Sequence, residues 1–189
     1  IMSYEEAMNR FGSDKPDIRF NMELSNLSAY IESSEFNTFK ETLKVGGCVK
    51  GIVCPNSGNY SRKIIDELTE KLKRYHGAKG LAWMKSLDGN LEGGISKFFP
   101  DRIKKDIIKD LSINDNSILF IVGDSKKVVH GSLGALRLEL AEREGMIDRL
   151  KWAPLWVVDF PLVEWNKDNN RWDSLHHPFT SPFMEDVDL

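Results

Sequence analysis

The spacing of apolar positions changes along the chain, and each change marks an element. Ser3 to Phe11 places Ala7, Met8 and Phe11 at helical intervals behind a serine with Glu6 three residues on. That predicts a capped helix, which Gly12 stops. Ser13-Asp14-Lys15-Pro16-Asp17-Ile18-Arg19 has no period and reads as a charged turn fixed by Pro16. It lacks the glycine spacing of a phosphate-binding P-loop. Two strands are predicted next, Phe36 to Leu43 and Val45 to Cys54, with Gly46-Gly47 as a bend and Pro55-Asn56-Ser57-Gly58 as the stop. A helical period returns over 60–76, where Ile64, Ile65, Leu68, Leu72 and Tyr75 form one stripe. Glu67–Lys71 and Glu70–Arg74 are spaced for ion pairs on its wet side, and Gly77 is placed to end it.

A short strand from Gly80 to Ser86 precedes the turn signal Asp88-Gly89. Ile95 to Phe99 is apolar and stops at Pro100, and a helix over 101–111 carries Ile103, Ile107, Ile108 and Leu111. Ser117 to Gly123 is an unbroken apolar run, the pattern of a buried strand. Ser125 is read as the cap of the longest helix, 126–144, with Val128, Val129, Leu133, Leu136 and Leu140 inward and Gly145 at its end. Gly131, Gly134 and Ala135 interrupt that helix; the two glycines cost propensity, and the group is expected to let the helix approach the sheet closely. From Trp152 the texture changes. Leu155 to Trp165 reads as a long strand broken at Pro161, 166–170 as a turn, and Arg171 to His176 as the returning strand of a hairpin. Met184 to Leu189 is an acidic, loosely patterned tail.

Together these elements predict an α+β fold, a two-layer α/β sandwich with a mostly antiparallel sheet over residues 25–148. Residues 1–24 and 149–189 fall outside its pattern, and their apolar faces have no evident partner in the sequence. An insertion domain carried with segments of its host is the organisation expected. Trp156, Phe160 and Trp165 are expected to form an exposed apolar patch.

Composition narrows the function without choosing it. A net charge of −3 and a pI near 5.9 leave no overall electrostatic footprint for nucleic acid. Basic residues do cluster at Lys63, Lys71, Lys73 and Arg74, and at Lys97, Arg102, Lys104, Lys105 and Lys109. Such groups are commonly the solvated faces of helices. No apolar run approaches the roughly 20 residues of a membrane span, and residues 1–25 lack a signal peptide's pattern. A cytoplasmic location without membrane attachment is expected. Cys48 and Cys54 would share one face of a strand, too far apart along it to bridge locally, which fits buried thiols in a reducing compartment.

Two of the four histidines stand side by side in Leu175-His176-His177-Pro178-Phe179-Thr180-Ser181-Pro182. On an extended segment adjacent side chains point to opposite faces, so one imidazole can reach a ligand while the other packs inward. The prolines exclude a helix. By its chemistry alone the stretch reads first as a rigid loop with two solvated imidazoles.

Three stretches carry a resemblance. Tyr4 to Arg19, Trp152-Ala153-Pro154-Leu155-Trp156-Val157-Val158-Asp159-Phe160-Pro161 and His176 to Pro182 resemble signature stretches of bacterial-type aspartyl-tRNA synthetases, in the same order. The middle, including Gly134-Ala135-Leu136-Arg137-Leu138, is similar to the GAD domain, a DCoH-like unit that these enzymes insert into their class II catalytic domain. The resemblance implies an internal fragment, with catalytic-domain segments at 1–24 and 149–189 around a GAD domain at 25–148. It also implies a parent that is a homodimer, activates L-aspartate with ATP and Mg²⁺, and transfers it to tRNA. His176, and beside it His177, would bind the substrate L-aspartate. The family's α-phosphate motif is Phe-Arg-x-Glu-like, and Arg19-Phe20-Asn21-Met22-Glu23 does not match it. Neither the later glycine-rich motif ending in arginine nor the anticodon-binding barrel is recognised here. These residues alone are therefore expected to be inactive and to carry no bound cofactor. The GAD unit is alternatively read as a non-catalytic module that contacts tRNA or orients domains. A tRNA-dependent amidotransferase subunit is a third GAD-bearing candidate, disfavoured by the Ser13-Asp14-Lys15-Pro16 and His176-His177-Pro178 stretches.

Overall fold

The computed structural model describes residues 1–166 and 169–175. The chain opens with β1 (Met2–Ser3), α1 (Tyr4–Phe11), β2 (Leu24–Asn26), α2 (Ser28–Glu32), α3 (Asn37–Lys44) and β3 (Cys48–Cys54). It continues with α4 (Arg62–His76), β4 (Ala82–Leu87), β5 (Asn90–Glu92), a 3-10 turn at Ser96–Phe98 and α5 (Asp101–Asp110). Then come β6 (Ile118–Asp124), α6 (Lys126–Arg143), β7 (Val157–Val158), β8 (Val163–Asn166) and β9 (Arg171–Ser174).

The core is a five-stranded sheet in the order β2-β3-β6-β4-β5, with every neighbouring pair antiparallel. At its centre Ile118, Phe120 and Val122 point to a core shared with α4 and α6, while Leu119 and Ile121 point to one shared with α2, α3 and α5. Helices therefore cover both faces and the unit has three layers, where the sequence reading had two. The unbroken run in β6 has this cause: a strand buried on both faces has no polar side to alternate with.

Several expected elements form as read. The Ser3 hydroxyl accepts a hydrogen bond from the Glu6 amide at 3.1 Å, and Gly12 closes α1 in the left-handed conformation. Ser61 caps α4 through the Ile64 amide, and Gly77 ends it at φ +72°. Both cysteines are free and lie on the α4/α6 face of the sheet.

Other details differ. The predicted strand Phe36 to Leu43 is the helix α3. Phe36, Phe39 and Leu43 recur at three and four residues and all pack on the second core, which decides the conformation over the β preference of Thr38 and Thr42. The strand shortens to Cys48–Cys54. Tyr75 stands 67% exposed, off the α4 stripe. Lys71 reaches Glu139 on α6 at 3.0 Å and Lys73 pairs with Glu70, where ion pairs Glu67–Lys71 and Glu70–Arg74 had been expected. Ser125 makes no side-chain cap; its amide instead donates to Asp124 at 2.7 Å. The long strand from Leu155 is divided: Val157–Val158 pairs in parallel with Met2–Ser3, Asp159 turns the chain at φ +58°, and the hairpin begins at Val163.

The largest difference lies between the terminal segments and the central unit. Residues 1–24 were expected to lack a partner, yet Ala7 and Phe11 are buried and α1 packs on α6. Gly134 explains the contact. A Cβ there would stand 2.6 Å from the Gly12 carbonyl oxygen, so it is α1, not the sheet, that this glycine admits. Nothing lies within 4 Å of a Cβ built at Gly131.

Candidate functional site

Stretches far apart in sequence meet at one cleft of about 660 Å³. Tyr4, Glu5, Met8 and Asn9 of α1 form one wall, and Lys126, Lys127 and His130 from the start of α6 form a second. Asp159, Pro161, Glu164 and Leu175 close it from the C-terminal segments. Tyr4 packs at a tilt against Phe160 with ring centroids 5.1 Å apart, and Lys127 pairs with Glu164 of the hairpin at 3.3 Å, so both walls hold the C-terminal segments. Trp156 and Trp165 are exposed as expected, whereas Phe160 is half-buried beside Tyr4.

Two buried polar side chains, Lys50 behind Asn9 and His130 on α6, stand at these walls. Lys50 extends from β3, 7% exposed, and donates to the Asn9 carbonyl at 2.8 Å and to its side-chain oxygen at 3.1 Å. Burial lowers its pKa. His130 is 8% exposed and its Nε2 has no hydrogen-bond partner. Burial, with Lys50 and Lys126 nearby, pushes its pKa down to about 4, so the imidazole is neutral at pH 7. The cleft thus offers cationic and anionic groups around a neutral ring. That suits a ligand with polar groups of both signs. Among the described residues no group of three His, Cys, Asp or Glu side chains is placed to hold a metal ion.

Leu175, which immediately precedes His176, lines the cleft. His176 and His177 themselves lie outside the described residues, as do the Pro178–Pro182 stretch and the acidic tail. The two basic clusters are not brought together. Lys63, Lys71, Lys73 and Arg74 belong to α4 on one side of the sheet, and the cluster around α5 lies on the other.

Sequence reasoning missed Arg137. It sits on the inward stripe of α6 with Leu133 and Leu140, where a charged residue is itself the signal. Only 1% exposed, its guanidinium donates to three successive carbonyls: Phe20 at 3.0 Å, Asn21 at 3.2 Å and Met22 at 2.8 Å. Phe20 and Phe11 flank it, with ring centroids 4.0 and 4.8 Å from Cζ. Burial lowers its pKa to about 10, against the pull of Asp17 and Glu23, and it remains charged at neutral pH. Met22 adopts φ +78°, a conformation disfavoured for a residue with a side chain, where the three carbonyls gather on this cation. Outside this joint, Arg10 binds Glu23 at 2.7 Å and also bonds Glu6.

Comparison with known proteins matches the GAD domain family over residues 39–133. An aspartate–tRNA ligase of Halalkalibacterium halodurans is 49% identical over 187 residues, 98% of this chain and 31% of the relative. An aspartate–tRNA(Asp/Asn) ligase of Caldanaerobacter subterraneus subsp. tengcongensis is 46% identical over 188 residues, 100% of this chain and 32% of the relative. An aspartate–tRNA ligase of Geobacillus kaustophilus is likewise 46% identical, over 189 residues and 32% of its length. The chain spans about a third of the length of these relatives.

Proposed function

Because the chain belongs to the GAD domain family, with flanks that align to aspartate–tRNA ligases on both sides, we propose that it is the GAD-bearing portion of such a ligase. The observation that carries this reading is convergence. Two of the stretches that resemble the synthetases, around Tyr4 and Asp159, form one cleft, and Leu175 at its edge leads into the third.

The parent, a homodimeric class II enzyme on this reading, would join the carboxylate of L-aspartate to the α-phosphate of ATP and release pyrophosphate. The terminal ribose hydroxyl of tRNA would then attack the mixed anhydride. His176 would bind the substrate through a directional ring nitrogen, with His177 beside it. Mg²⁺ would neutralise phosphate charge, but the described residues do not offer it a set of ligands. Arg19 is a poor stand-in for an α-phosphate arginine because its guanidinium is tied to Asp17 at 2.7 and 3.0 Å. These 189 residues alone would thus be inactive.

Aspartate-dependent exchange of pyrophosphate into ATP tests the proposal. The full-length protein should catalyse it and the 189-residue chain should not. His176→Ala in the full-length protein should raise the KM for aspartate. Exchange with another amino acid in place of aspartate would overturn the reading.

A further inference from the structure

His130, Gly134 and Arg137 follow Lys127 at intervals of three and four residues and form one row along α6. Each member touches a different part of the terminal segments. Lys127 pairs with Glu164 at the cleft, and His130 lines the cleft. Gly134 lies against the backbone of Phe11 and Gly12, and Arg137 holds the carbonyls of residues 20–22. Beside this row, the same helix faces the sheet through Val129, Leu133, Leu136 and Leu140. One rigid element therefore joins the sheet to the cleft.

We propose that Arg137 is a positioning residue for the L-aspartate site, through which the GAD unit holds α1 and its following loop in register with the cleft. The inference rests on the ligase reading above. Packing alone does not account for an arginine here, since burying its charge costs free energy that burying an apolar side chain does not. An apolar side chain would leave the carbonyls of Phe20, Asn21 and Met22 without these donors. A lysine keeps the charge but loses the planar fork and the stacking between Phe11 and Phe20. Because Phe11 ends the helix that carries Tyr4, Glu5 and Asn9, a shift at Arg137 moves a wall of the cleft.

The test compares Arg137→Lys and Gly134→Ala with Leu91→Ala, which empties the opposite face of the sheet. Each is made in the full-length protein for pyrophosphate exchange and in the 189-residue chain for amide hydrogen exchange. Arg137→Lys and Gly134→Ala should raise the KM for aspartate roughly tenfold while leaving the KM for ATP in place, as misplacement of a binding wall predicts. Amide protection near residues 20–23 should fall in both. Leu91→Ala should lower the melting temperature without moving either KM. If all three variants lose stability and none changes the KM for aspartate, Arg137 is a core residue only and the proposal is overturned. If the unaltered full-length protein shows no aspartate-dependent exchange, the ligase reading fails first and takes this inference with it.

Discussion

In the central sheet Ile118, Leu119, Phe120, Ile121 and Val122 are each at most 1% exposed, whereas Trp152, Trp156 and Trp172 toward the C-terminal end are 91%, 77% and 64% exposed. The residue classes are equally apolar, and only their surroundings differ. The GAD unit supplies helices for both faces of its own sheet, so its apolar residues are consumed internally. Among the described residues, the C-terminal segments supply three short strands, β7 beside β1 and the pair β8–β9, too few to cover large aromatic side chains. One region buries its apolar residues, and the other leaves them at the surface.

Substitution should separate the two regions most sharply at their aromatic residues. Phe120→Ala should destabilise the chain by about 3–5 kcal/mol, through lost burial and the cavity left behind. Trp152→Ala should change stability by less than about 0.5 kcal/mol. Urea unfolding of both variants checks the contrast, and equal effects would break it.

The boundary between the regions should respond next. Gly12→Ala places a Cβ 2.4 Å from the His130 carbonyl oxygen at a residue with φ +67°. Overpacking there should cost about 1–3 kcal/mol, with the left-handed conformation adding about 1–2 more. The same unfolding experiment reads it.

Acid should act on this boundary as well. Above pH 6.5 His130 is neutral in both folded and unfolded chains and contributes no pH dependence. Between pH 6.5 and about 4 the unfolded chain takes up a proton that the folded site resists, so stability falls with pH. The loss should reach about 3 kcal/mol near pH 4, at about 1.4 kcal/mol per pKa unit. Wild-type stability, measured across that window, should fall relative to that of His130→Gln as pH falls. Parallel curves would sink the assignment. Smallest is a change confined to the GAD unit: Ser61→Ala removes the α4 cap and should cost about 1 kcal/mol, read by thermal unfolding.

What the sequence disclosed follows the same division. The helices α1, α4, α5 and α6 and the strand β6 were legible because local spacing and local packing agree there. α3 was misread because its threonines favour a strand locally while Phe36, Phe39 and Leu43 meet the core only in a helix. Arg137 stayed hidden because its partners, the carbonyls of Phe20, Asn21 and Met22, lie more than 100 residues away and carry no side-chain signature. Gly134 was noticed for its cost to the helix, but pattern alone could not name the backbone it approaches. The cleft was legible only as separate stretches whose meeting the periodicity does not encode.

The parallel pairing of Met2–Ser3 with Val157–Val158 has a topological consequence. Chain positions 155 residues apart, 157 minus 2, leave on neighbouring strands separated by only about 4.8 Å. To any fold built around this pair, the whole intervening unit is a closed excursion that begins and ends at nearly the same point. Its closure is held by folded structure, so its length imposes little of the entropy that a flexible loop of that size would impose. Such a unit can grow or shrink while the register of the strands that flank it is kept, provided a crossover of roughly a dozen residues remains to join two parallel strands.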